Sequence, residues 1–112
     1  MSCYALTRVS KEGNAMFARM LRIQTNLDRL DEASKLFEEQ VIPLCKDRKG
    51  HKGAYFLGDR KTGNCIIVTL WETEEDLLET EHSRFFQEQL IKFMKFFITP
   101  PIREIYEVLY IE

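Results

Sequence analysis

The 112-residue sequence predicts an α+β domain of ferredoxin-like βαββαβ order, with an antiparallel sheet and both helices on one face. Three observations carry this expectation. Four stretches have the alternation or the β-branched content of strands. Two stretches with helical spacing follow the first and third of them. DRKTG, between the two middle strands, supplies the turn residues of a hairpin connection.

Residues 1–14 carry Ser, Lys, Gly and Asn without a clear period and are expected to form a weakly ordered lead-in to a domain over 15–112. In AMFARMLRIQ, Phe17, Arg19, Leu21 and Ile23 alternate with Met16, Ala18, Met20 and Arg22, the pattern of a strand with apolar groups on both faces. Asn26 or Asp28 then caps a helix whose Leu27, Leu30, Ser34, Phe37, Val41 and Leu44 share one face. Pro43 lacks an N–H and clashes with the carbonyl four residues back, so the helix should kink or end there. After the polar loop KDRKGHKG, AYFLG reads as a short strand and NCIIVTLW as the strongest one. ETEEDLLETEHS is an acidic helical segment whose charge run should be its solvated outside. Ser83 caps a second piece in which Phe85, Phe86, Leu90, Phe93, Met94 and Phe97 cover a broad apolar face. Pro100 and Pro101 stop the helix, and IREIYEVLYIE returns as the last strand.

The strands predict a partner. Cys65, Ile67, Thr69 and Trp71 oppose Ile66, Val68 and Leu70, and the last strand is likewise apolar on both sides. Two helices cover one sheet face. The other would expose several hundred Å² of apolar surface unless a second copy covers it about a two-fold axis, so a homodimer is expected.

Composition excludes several classes. Sixteen basic against eighteen acidic residues give a net charge of -2, without the basic excess of a nucleic-acid binder. No apolar run has the roughly 18 residues of a membrane span, and the N-terminus lacks the apolar stretch of a secretory signal. Three widely spaced cysteines at 3, 45 and 65 suggest a cytoplasmic protein without a disulfide framework or a metal site. Cys65 reads as a buried hydrophobe. Cys45, beside Lys46, reads as either the same or a redox-active thiol.

The segments MFARMLRIQ, DEASKLFEEQVIPLCK, KGHKGAYFLGDRKTGN, VTLWETEEDL and PPIREIYEV, in this order, resemble the antibiotic biosynthesis monooxygenase (ABM) family of dimeric α/β barrels from Met16 to Ile111. The resemblance implies a homodimer with a pocket between sheet and helices in each subunit. It also implies O₂-dependent oxidation of a small aromatic, phenol or quinol, without metal, flavin or other cofactor. The haem-degrading branch matches poorly, because the asparagine, tryptophan and axial histidine it needs fall near ARML, Thr80 and Leu90.

Trp71 occupies the family's tryptophan position, where an indole N–H donates to a substrate oxygen; the alternative is a core tryptophan. Many relatives carry a histidine where this chain has Thr80. His82, two residues on and roughly 200° round a continuous helix, takes the acid–base role if the helix breaks near Ser83. Arg19 either faces the helices and holds an anionic phenolate, or faces the partner and pairs with Glu104 or Glu107. Tyr55, Phe85 and Phe86 complete the substrate-binding wall, and His51 in its lysine-rich loop is expected to be exposed. The competing function is a non-catalytic dimeric module that binds a small apolar ligand. Thr80 in place of histidine favours that second function.

Overall fold

The computed structural model describes residues 15–112; the expected lead-in and Cys3 lie outside the described residues. Strand β1 spans Phe17–Gln24. A 3-10 turn at Leu27–Arg29 opens helix α1, which runs over 30–45 as Leu30–Leu36, a π turn at Phe37–Val41, and Ile42–Cys45. Strands β2 (His51–Gly58) and β3 (Asn64–Trp71) follow. Helices α2 (Glu74–Glu81) and α3 (Arg84–Phe93), a 3-10 turn at Met94–Phe96 and strand β4 (Ile102–Glu107) complete the order. The sheet order is β2-β3-β1-β4 and every neighbouring pair is antiparallel. This is the predicted ferredoxin-like arrangement.

The π turn is the structure's answer to Pro43. The Ile42 N–H donates to the Phe37 carbonyl, five residues back rather than four. Widening the helix just before a proline relieves the clash between its ring and the preceding turn. The consequence is a shifted buried stripe. Leu30, Ala33, Phe37, Val41 and Cys45 face the core, whereas Leu27 and Leu44, expected inward, are exposed. Four-residue steps from Phe37 to Val41 to Cys45 stay on one face because the turn is wider than 3.6 residues.

Ser83 caps α3 as expected, its Oγ accepting from the Phe86 N–H at 3.3 Å. The same hydroxyl donates to the Thr80 carbonyl at 2.5 Å, fixing the break between α2 and α3. Thr73 caps α2 by accepting from the Asp76 N–H at 3.0 Å. In the β2–β3 turn the Asp59 carboxylate accepts from the Lys61 N–H at 2.8 Å, and Gly63 closes the turn at φ +83°. A Cβ at Gly63 would collide with the Thr25 carbonyl, so glycine is required twice over there.

Leu21 and Ile23 of β1 and Cys65 and Ile67 of β3 meet the α1 stripe, Phe93 and Phe96 in one core. Phe37 stands edge-on to Phe56, with ring centroids 5.4 Å apart. Met94, expected inward, is exposed. The acidic run is also not wholly solvated, since Asp76 and Glu81 are buried. The other sheet face carries Met20, Tyr55, Leu57, Ile66, Val68, Leu70, Ile102 and Tyr106 by strand parity and pairing register. Tyr55, Leu57, Ile102 and Tyr106 are 49–58% exposed, so this apolar face is open in the single chain. Among the described residues no helix is long and apolar enough to cross a membrane.

Candidate functional site

A cavity of about 40 Å³ lies between the sheet and the helices. Arg19 and Leu21 of β1 and Ile67, Thr69 and Trp71 of β3 form its floor. Phe37, Val41 and Cys45 of α1 wall one side. Thr80 of α2, with Phe85, Phe86, Gln89, Leu90 and Phe93 of α3, closes the other. Arg19, Phe85 and Leu90 are the half-buried members, so the mouth is on their side. Arg48 caps Phe85 there, its Cζ 4.8 Å from the ring centroid. Two larger hollows, of about 520 and 450 Å³, are shallow and lie on the open sheet face and along the β2 edge.

Arg19 shares the helix-side face of β1 with Leu21 and Ile23, which decides between its two expected orientations. Its guanidinium lies over Phe86, with Cζ 4.1 Å from the ring centroid. Burial lowers its pKa to about 10, against the opposing pull of Glu81. Nη1 is buried and has no hydrogen-bond partner among the described residues. The pairing with Glu104 or Glu107 foreseen for Arg19 is not made; Arg22, on the open face, donates to Glu104 at 2.7 Å instead. Arg103 lies near the same ring, 5.6 Å from the Phe86 centroid, and 3.7 Å from Glu81. Two guanidiniums and one carboxylate therefore meet at this wall, leaving a positive charge unbalanced.

Trp71 is 1% exposed and lines the cavity, but its indole N–H already donates to Thr69 Oγ1 at 2.9 Å. A role as donor to a substrate would require that bond to break. The helix does break before Ser83, yet His82 remains exposed at the C-terminus of α2, outside the cavity. Thr80 faces the cavity in the place where the resemblance expects a histidine. Tyr55 pairs with Val68 and points to the open face, so it is no part of this wall. Phe85 and Phe86 are. His51 is half-buried rather than exposed. Its ring stands edge-on to Trp71 at 5.3 Å, and burial lowers its pKa.

Besides Thr80 and the apolar lining, the cavity contains Cys45, Thr69 and Gln89, which the sequence does not single out as site members. Burial raises the Cys45 pKa, which works against a redox-active thiolate. Gln89 is 7% exposed, and its Oε1 has no hydrogen-bond partner among the described residues. It was legible as a polar residue three after Phe86 and four before Phe93, inside the apolar stripe of α3. Among the described residues no group of three or more His, Cys, Asp or Glu is placed to hold a metal ion.

Comparison with known proteins places the fold. No family model matches the chain. Over 71 residues it is 35% identical to an uncharacterized protein of Mycobacterium tuberculosis, a match over 63% of this chain and 32% of that protein. The chain thus spans about a third of the length of the curated relatives it matches. A structure from Bordetella bronchiseptica, provisionally named an antibiotic biosynthesis monooxygenase, superposes with a TM-score of 0.72 at 20% identity, over 84% of this chain and 97% of that one. A Streptomyces coelicolor monooxygenase, solved with the ligand nanaomycin D, gives 0.71 at 11% identity, over 84% of this chain and 88% of that one. A Caulobacter crescentus structure with the same provisional name as the first gives 0.70 at 11% identity, over 85% and 91%. The chain has the ABM-like fold.

Proposed function

We propose that this ABM-like domain binds a small phenolic molecule as its anion against Arg19 and oxidises it with O₂, without a cofactor. One observation carries the reading: a buried guanidinium nitrogen beside an apolar cavity, with no hydrogen-bond partner among the described residues. A buried cation is expensive unless an anion completes it.

The chemistry needs little more from the protein. Arg19 lowers the pKa of a bound phenol by favouring the charged form, so the proton passes to water. Among the described residues Cys45 is the only other titratable group lining the cavity, and its own pKa is raised, so no side chain is assigned as base. The substrate anion gives an electron to O₂, and the pair recombines at carbon as a peroxide. Protonation of the peroxide and loss of water from its C(H)–OOH carbon leave a carbonyl where the ring had C–H, so one oxygen atom enters the product and the other leaves as water. Phe86, Leu21 and Ile67 keep water from the anion. A second copy across the open sheet face completes the assembly in this reading.

A non-catalytic ligand-binding module is the second reading, favoured by Thr80 in the histidine position and by the engaged Trp71 N–H. The cavity volume bears on both. About 40 Å³ holds one or two waters but no ring, so a phenol must displace Phe85.

Anaerobic titration with 1-naphthol at pH 7 tests binding through the naphtholate absorption band. The band should appear with the wild type, strengthen in Phe85→Ala and vanish in Arg19→Met. O₂ uptake above autoxidation, persisting in chelator, should follow when air is admitted. No band with either the wild type or Phe85→Ala overturns the proposal; a band without O₂ uptake selects the binding module.

A further inference from the structure

We infer that Gln89 is a specificity-determining residue, selecting ligands that carry a free hydroxyl in addition to the oxyanion held by Arg19. This rests on the reading of Arg19 above. Gln89 is more than nine-tenths buried, lines the same cavity as Arg19, and leaves its Oε1 without a partner among the described residues. The two orphaned atoms are of opposite kind. Arg19 Nη1 is a donor that seeks an acceptor, and Gln89 Oε1 is an acceptor that seeks a donor. They do not satisfy each other, so the ligand that satisfies both must present an accepting oxygen and, separately, an O–H.

A simple phenolate completes Arg19 and leaves Gln89 Oε1 buried and unmade. A diphenol that has lost one proton completes both: the ionised oxygen accepts from Arg19, and the remaining O–H donates to Gln89. An unmade hydrogen bond at a buried acceptor is worth about a factor of ten in affinity.

The test needs the wild type first. Phenol, catechol, resorcinol, hydroquinone and their mono-methyl ethers are titrated anaerobically at pH 7, with binding and ionisation read from the phenolate band. At least one diphenol should bind about tenfold tighter than phenol, and its mono-methyl ether should lose that advantage. Gln89→Leu should abolish the difference in affinity between the diphenol and phenol. Equal binding of phenol and every diphenol overturns the inference while sparing the assignment of Arg19. So does an advantage that survives methylation or Gln89→Leu. No phenolate band with any of them overturns both. The methyl-ether comparison decides the matter even if Gln89→Leu fails to fold.

Discussion

Replacing Arg19 by methionine should make the empty protein more stable. Burial lowers the guanidinium pKa from its ordinary value to about 10. At about 1.4 kcal/mol per decade, that drop corresponds to about 3 kcal/mol against the charged form. At pH 7 the folded and unfolded chains are both protonated at this site, so the cost is fully present. It fades only as pH rises through the folded value of about 10 toward the unfolded value above it. Against it stands the stacking of the guanidinium on Phe86 at 4.1 Å, worth roughly 0.5–2 kcal/mol. Methionine fills much of the same volume without the charge. The balance is a gain of about 1–2 kcal/mol, or roughly 5–10 °C in Tm for a domain of this size. Urea unfolding at pH 7 and equal chain concentration measures it as a raised midpoint with an unchanged slope. A loss of more than about 1 kcal/mol would refute the reasoning. Arg19 would then be a satisfied structural cation with no call for an anion. A gain, together with loss of naphtholate binding, is the signature of a residue kept for function at the expense of stability.

Three further outcomes follow from particular contacts. Val68→Asp places a carboxylate in the apolar sheet face and should give a monomer or an unfolded chain; a wild type that sediments as a 13.3 kDa species removes the dimer. Trp71→Phe leaves Thr69 Oγ1 without its donor and should cost about 1–3 kcal/mol in urea unfolding, with O₂ uptake per folded chain unchanged; a rate loss of 10²–10³ would return the indole to a substrate-donor role. His51, whose folded pKa lies below 6.5, is neutral in the fold and takes up a proton more readily when unfolded. Stability should therefore fall as pH drops below 6.5 toward the folded value, and His51→Asn should flatten that fall; an unchanged pH slope would separate His51 from it.

Strand parity, the hairpin turn and the Ser83 cap were legible because each depends on a few neighbouring residues. The phase of α1 was not. Its buried face depends on a turn widened by Pro43, and no regular helical spacing anticipates which residues such a turn carries inward. Arg19 was ambiguous for a related reason: both faces of β1 are apolar, so parity put it with Leu21 and Ile23 without saying which face met the helices. The last strand was read too long. β4 stops at Glu107 because its neighbour β1 begins at the paired Phe17, and one more bond, from the Val108 N–H to the Met16 carbonyl, ends the ladder between them. Gln89 was visible in the α3 stripe and passed over, because a lone polar residue among phenylalanines is easily read as an interruption. His82 was misjudged in direction: the helix break was foreseen, but the turn leaves the imidazole in solvent.

The π turn of α1 holds one residue more than a regular turn, so this helix has slack in its length at one place only among its described turns. Deleting one exposed residue from 38–40 would let a regular helix re-form and would leave everything after it close to its present azimuth, because the widened turn already absorbs that residue. Cys45 would keep its place in the cavity wall, and Arg48 its place over Phe85. In Leu30–Leu36 the winding is regular and one residue turns the chain by about 100°. A deletion there should act on the mouth of the cavity from a distance, through the winding of the helix rather than through any contact that is lost.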